Sequence, residues 1–156
     1  MACLGSSSVA ALLGVLDLKV CDGCSDCALR CTDDIPMALA EFEAISAYCT
    51  REIAPATCKH SASAPAQLPD APWPEPCRFR IAATGMCRVY PVRPLVCRLM
   101  GHVWWLPCPV GRVTSAPDRE TVRSALDAYC AEERRTYAGW TQSRAGTNCE
   151  EETHAA

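Results

Sequence analysis

Thirteen cysteines in 156 residues constrain this chain more than any other feature. An odd number excludes a fully paired disulfide framework. Eight of the cysteines fall into two groups. Cys21, Cys24, Cys27 and Cys31, in the run CDGCSDCALRC, are separated by two, two and three residues. Cys77, Cys87, Cys97 and Cys108 are separated by nine, nine and ten. Cys3, Cys49, Cys58, Cys130 and Cys149 lie outside both groups. Packing alone does not explain four thiols in eleven residues, because a cysteine in a core is only a small hydrophobe. Metal ligation does explain them.

Short gaps let backbone turns aim several thiolates at one centre. The first group has the spacing of a bacterial ferredoxin ligand run. Thr32 stands where that run carries proline, and no second such run follows. The second group does not pair its cysteines at two to four residues, as zinc knuckles do. Loops rich in proline and glycine must close its gaps. Only 6% of residues are aromatic, so the ordinary core is expected to be thin. Bound metal is expected to contribute to the fold, as it does in small metallo-domains.

Compartment decides between metal and disulfide. The apolar run Val9–Leu16 is too short to span a bilayer, which needs about 20 residues. It has no basic segment before it, as a secretory signal would. It reads as a helix capped by Ser6, Ser7 or Ser8. A cytoplasmic, membrane-free protein is the expectation, and reducing buffers there keep thiols free for metal.

Charge is segregated along the chain. Residues 1–54 carry a net −5, residues 55–76 −1, residues 77–114 +6 with no acidic side chain, and residues 115–156 −3. The basic stretch holds Arg78, Arg80, Arg88, Arg93, Arg98 and Arg112 beside the second cysteine group. A tetrathiolate zinc site or an oxidised 4Fe–4S cluster with four thiolates carries about −2. Arginines offset that charge and lower thiol pKa values. Nucleic acid is not the expected partner, because the rest of the chain is acidic and lacks a binding motif.

The expected architecture is mainly α with long irregular loops, a small single-domain metalloprotein organised around a cysteine-ligated metal site. An N-terminal helix occupies residues 1–20, the metal-binding domain 21–137 and a flexible tail 138–156. Six prolines make residues 55–76 a linker or an irregular wrap. One helix is expected from about Asp34 to Cys49, capped by Asp33 or Asp34, with Pro36 in its first turn and Ile35, Leu39, Phe42 and Ile45 as its apolar stripe. Another is expected after Ser115 and Asp118, a capping-box-like pair, with Val122, Leu126, Tyr129 and Cys130 on one face.

The stretch PCRFRIAATGMCRVYPVRPLVCR carries a resemblance. Cys77 with Phe79, Cys87 with Val89 and Tyr90, Arg93 with Pro94, and Cys97 with Arg98 resemble the signature of the YkgJ-type cysteine-cluster family. The earlier group, followed by DDI, resembles that family's CxxCxxCC motif, and the likeness spans roughly residues 18–130. Family members usually end the first motif with adjacent cysteines, whereas here ALR separates Cys27 from Cys31. Either of the two is open as a ligand. The resemblance implies a zinc- or iron-chelating domain. It also implies metal ligands among Cys21, Cys24, Cys27, Cys31, Cys77, Cys87, Cys97 and Cys108.

Within the middle motif, Arg93 and Arg98 are candidate cofactor-binding residues that donate hydrogen bonds or screen cluster charge. Gly85 and Gly101 allow positive φ or close backbone approach near sulfur. Trp104 and Trp105 either exclude water from the site or serve as core. His102 is a weaker candidate ligand, and His60 and His154 are weaker still.

Three functions compete. The first is an iron–sulfur protein, 4Fe–4S favoured, that transfers electrons or supports a redox or biosynthetic protein partner. The second is a structural or storage zinc module, because zinc accepts the same thiolates. The third is a small cluster-dependent or multi-iron enzyme, which the family's likeness to a domain of flagellin lysine N-methylases implies. No catalytic triad, P-loop or dinucleotide fingerprint supports that third reading.

Overall fold

A computed structural model describes residues 7–24, 26–27, 31–53, 77–81, 83–114 and 117–150, with side chains given between 9 and 144. The proline-rich stretch, Ser115, His60, His154 and the N-terminal serine cap lie outside the described residues or side chains.

Among the described residues, five helices carry the fold: α1 Ser7–Val15, α2 Leu39–Glu52, α3 Leu95–Leu99, α4 Arg119–Cys130 and α5 Tyr137–Glu150. Short 3-10 turns occupy Leu18–Cys21 and Tyr90–Val92. Four two-residue strands form two antiparallel ribbons. In one, β1 Met37–Ala38 pairs with β4 Arg134–Arg135. In the other, β2 His102–Val103 pairs with β3 Leu106–Pro107. The architecture is thus mixed, with helices dominant and small sheets added to the expected α-and-loop plan.

Two apolar clusters replace the thin core expected from composition. The first joins Val9, Leu12 and Leu16 of the N-terminal segment to Leu95 and Leu99 of α3, Val103 of β2, and Val122, Ala125 and Tyr129 of α4. Their spacing on α4, three then four residues apart, is the helical period that places them on one face. The second cluster joins Met37, Phe42, Ile45 and Cys49 to Phe79, Val89 and Trp140. Leu12, Ile45, Leu95 and Leu99 are fully buried, each stabilising the fold by about 1.5–3 kcal/mol.

Helix α2 starts five residues later than its sequence suggests. Asp33, one of the two expected caps, is taken by Arg78: its Oδ1 accepts from the backbone N of Arg78 at 3.1 Å and from Nε at 2.8 Å. Met37 and Ala38 are drawn into a ribbon with Arg135 and Arg134 instead. Glu41 then starts the helix, its Oε2 accepting from the Ala38 N–H at 2.9 Å. Alanine has no side-chain acceptor, so only this half of a capping box exists. Leu39, expected in the apolar stripe, is 41% exposed, and Ile35 precedes the helix.

Helix α4 begins at Arg119, with Asp118 as the cap. Asp118 Oδ1 accepts from the Thr121 N–H at 2.8 Å, so Thr121 rather than a residue before Asp118 completes the turn. Helix α5 lies where the sequence reading placed a tail. Trp140 accounts for this: its ring is buried and its Nε1 donates to the Met37 carbonyl at 2.9 Å. Tyr137 adds ring contacts to Phe42 at 4.9 Å and Phe79 at 5.1 Å.

Candidate metal centre

Three segments, far apart in sequence, bring the cysteines together. Cys21 ends a 3-10 turn. Gly23, at φ 71°, reverses the chain so that the Cys24 N–H donates to the Cys21 carbonyl at 3.1 Å. The Cys77 N–H donates to the Cys31 carbonyl at 3.3 Å, and the Asp33–Arg78 ion pair locks the same junction. Residues 77–88 then fold back on themselves, with Ile81 N–H donating to the Met86 carbonyl and Arg88 N–H to that of Phe79, both at 2.8 Å. Gly85, at φ 72°, makes the reversal. Cys77 and Cys87 therefore stand on adjacent arms, and Cys97 follows on α3.

These arms enclose a cavity of about 400 Å³. Its lining includes Cys21, Cys24, Cys27, Cys31, Cys77, Cys87 and Cys97, so seven of the eight candidate ligands face one space. Cys108 is not in that lining. All eight are free thiols, as is exposed Cys130. Cys49, in the second apolar cluster, is disulfide-bonded. Among the described residues, no three cysteine, histidine or carboxylate side chains have closed to the spacing of one ion's ligand shell.

Electrostatic proximity groups the sulfurs into two neighbouring sets, joined through Cys27 and Cys31. Cys97 is pushed well up, first by burial and then by Cys31, Cys77 and Cys87. Cys77 is pushed up to about 12 by burial and by Cys31, with Cys87 adding to it. Cys31 is pushed up to about 11 by burial, then by Cys87 and Cys27. This is a deep set of four: Cys31, Cys77, Cys87 and Cys97. Cys27, pushed up to about 11 by burial, is otherwise raised by Cys21, Cys24 and Cys108. Cys21 is raised by burial and by Cys108 and Cys24 against the lowering effect of Arg93. This is an outer set of four. Cys31 thus sits with the second sequence group and Cys27 with the first.

Backbone N–H groups face several sulfurs. Val89 donates to Cys87, and Phe79 donates to Cys77, each two residues on. Such bonds favour thiolate and are a protein's handle on reduction potential.

The arginines divide too. Arg93 lines the cavity, stacks over the Tyr90 ring at 3.9 Å and lowers Cys21, Cys27, Cys31, Cys87 and Cys97. Tyr90 in turn donates its hydroxyl to the Cys21 carbonyl at 3.0 Å. Arg98 does not line the cavity. It donates to the carbonyls of Arg93 at 2.8 Å and Pro91 at 3.2 Å, bracing the loop that carries Arg93. Arg80, which the sequence marked only as one of six arginines, lines the cavity with its buried Nε lacking a hydrogen-bond partner. An orphan guanidinium N–H beside a ring of thiols fits an anionic, thiolate-bound group.

Trp104 and Trp105 are not core. Trp104 and Trp105 are 51% and 41% exposed; Trp105 reaches the cavity lining, and Trp104 lies under the Arg119 guanidinium at 4.8 Å. His102 is buried, with Nε2 3.7 Å from the Cys21 sulfur. Burial and then Arg93 hold its pKa below the ordinary value, which favours the neutral imidazole. Sequence reasoning missed Glu41. It is buried on α2, its Oε1 accepts from the Leu95 N–H at 2.6 Å, and Tyr129 OH donates to Oε2 at 2.6 Å. That carboxylate holds the start of α3, two residues before Cys97. Only the Glu three residues after Ala38 hinted at it.

The raised thiols set a pH dependence. A thiol whose folded pKa lies above its unfolded value of 9.0 favours folding below that value and ceases to do so as pH rises through the folded pKa. The metal-free chain should therefore lose thermal stability progressively from about pH 9 to about pH 12. The metal-loaded chain, already thiolate, should not follow that curve. A melting series in chelator checks this; a flat Tm between about pH 8 and pH 11 would contradict the burial of these thiols.

No helix among the described residues is long and apolar enough to cross a membrane. Searches of curated proteins and of solved structures found no match to this chain. The model of the CxxCxxCC family, described as "Putative zinc- or iron-chelating domain", matches residues 20–134. That span holds all eight cavity and outer-set cysteines and most of the described fold, and the chain belongs to this family.

Proposed function

We propose that Cys31, Cys77, Cys87 and Cys97 hold an iron–sulfur cluster of the 4Fe–4S type, used for electron transfer or redox support of a protein partner. The carrying observation is the cavity of about 400 Å³ ringed by free thiols. A lone zinc draws its four sulfurs to about 2.3 Å and leaves no such space between them. A polynuclear cluster has the size to fill it. Its overall negative charge suits Arg93 and the unpartnered Nε of Arg80 on the same wall.

The chain's own residues supply the environment. Val89 and Phe79 N–H groups favour the thiolate forms of Cys87 and Cys77. Phe79, Val89 and Met37 keep water from the deep wall. When bound, the cluster supplies reversible one-electron chemistry. Trp105, half-exposed in the cavity lining, marks where a protein partner would approach.

Protein purified without oxygen should be brown, contain about four iron and four acid-labile sulfide per chain, and bleach with dithionite. Colourless protein carrying zinc alone would overturn this reading in favour of a structural or storage zinc module.

A further inference from the structure

We propose that the tip of the β2–β3 ribbon, Trp104 and Trp105, is a docking site for a partner protein that presents acidic side chains around an apolar one. The proposal names the kind of partner for the redox role above and rests on that reading, although the binding itself is measurable with or without a cluster.

The ribbon is anchored at its base and open at its tip. His102 and Val103 are buried, Val103 within the first apolar cluster. The register pairs His102 with Pro107 and Val103 with Leu106, and the Gly101 N–H donates to the Leu106 carbonyl at 2.6 Å. Trp104 and Trp105 are left as the two-residue turn, both exposed. Such turns draw glycine and asparagine, because the favoured types need positive φ. Tryptophan is not a turn former, and here it is not core either. Large exposed rings on a braced ribbon have the make-up of an interface anchor, where tryptophan and arginine carry most of the binding energy. The two rings already hold each other edge to face, with centroids 4.3 Å apart. Little side-chain freedom is left for them to lose on binding.

Charge selects the partner. Residues 77–114 hold six arginines and no acidic side chain. Arg119 is exposed and lies over the Trp104 ring at 4.8 Å. Exposed Val110 and Arg112 belong to the loop after the ribbon, and that loop packs on the ribbon's base: a Cβ on Gly101 would meet Cys108 and Val113 side chains at 3.2 Å. Asp118 is turned to Thr121, whose N–H and hydroxyl both donate to it. Glu120 follows Arg119 on α4, where adjacent residues face different ways. Carboxylates around an apolar side chain therefore match this surface. A nucleic acid would also seek arginine and tryptophan, but stacking needs open ring faces. Arg119 and the edge-to-face pairing already occupy them. Trp105 also lines the cavity with Gly85, Met100 and Leu106, so a protein seated on the tip covers one wall of the proposed cluster site.

Fluorescence anisotropy tests this on the full chain with dye-labelled peptides of equal length: glutamates around a central pair of leucines, glutamates alone, and lysines around the same leucines. The first should bind, and more weakly as salt is raised. The other two should bind at least tenfold more weakly. Trp104→Ser, outside the cavity lining, should weaken the first peptide at least tenfold with circular dichroism and metal content unchanged. Arg119→Glu should do the same, since glutamate suits a first helical turn. No binding by the wild type at low salt would overturn the proposal, as would equal binding by the wild type and both variants. A single-stranded oligonucleotide that binds more tightly than the peptide, and is lost in Trp104→Ser, would overturn it in favour of nucleic acid. Self-association abolished by Trp104→Ser would overturn it in favour of a second copy of this chain. Colourless protein that still binds the peptide would sink the iron–sulfur reading and leave the docking site standing; brown protein that does not bind would sink the docking site alone.

Discussion

If the deep set holds the proposed iron–sulfur cluster, Cys97→Ala should abolish its visible chromophore and strip it of iron. Cys97 is pushed well up, first by burial and then by its neighbours Cys31, Cys77 and Cys87. Alanine leaves Cys31, Cys77 and Cys87 of the deep set, so a replacement ligand would have to be drawn from Cys21, Cys24 or Cys27 across the same cavity. Structural metal binding contributes on the order of 10 kcal/mol in small domains, so the melting temperature should fall steeply. Far-ultraviolet circular dichroism at low temperature should survive, because both apolar clusters are built without Cys97. Cys130→Ala, at an exposed free thiol on α4, is the control and should change neither metal nor stability. Iron retained at wild-type stoichiometry in Cys97→Ala would remove Cys97 from the ligand set.

The second large effect belongs to a residue with no sulfur chemistry. Glu41→Gln should destabilise the fold by about 3 kcal/mol, the range for breaking buried charge-assisted hydrogen bonds. The carboxylate accepts from Ala38 N–H, Leu95 N–H and Tyr129 OH, three donors on three elements. Glutamine offers one acceptor oxygen and turns an NH2 group toward at least one of those donors. Tyr129 reports the same coupling: burial and then the Glu41 carboxylate raise its phenol well above the ordinary value. Because Glu41 anchors the N-terminus of α3, the variant should also bind metal more weakly through a displaced Cys97. Chemical denaturation combined with iron analysis reads both effects. A loss below about 1 kcal/mol with full iron would show that the buried carboxylate is dispensable.

The sulfur chemistry was legible in the sequence, and its partition was not. Spacing alone joined Cys27 and Cys31 in one run, yet Cys31 sits against Cys77 through a backbone hydrogen bond and Cys27 sits with Cys21, Cys24 and Cys108. Local spacing cannot tell these apart, because the division is made by a contact 46 residues away in the chain, between Cys31 and Cys77. Helix α4 was legible because its apolar period and Asp118 cap agree, although Cys130, expected on its inner face, is exposed and Ala125 is buried there instead. The start of α2 was misplaced because Asp33, a sound cap by propensity, found a stronger partner in Arg78. The same limit hid Glu41: a carboxylate in a first turn looks like an ordinary helix start until Leu95 and Tyr129 arrive from elsewhere. Arg98 was placed beside the cluster by its neighbour Cys97, but on a helix adjacent residues point in different directions, and it reaches Pro91 and Arg93 instead.

The Asp33–Arg78 clamp bears on when cargo is acquired. It welds the exit of one cysteine run to the entry of the next by ordinary charge and hydrogen bonding, beside the apolar cluster that holds Phe79 and Tyr137. A receptacle assembled that way should be shaped before anything is put in it. Delivery would then be a late event in the life of the protein, and less ordering entropy would be surrendered on capture than in a zinc finger.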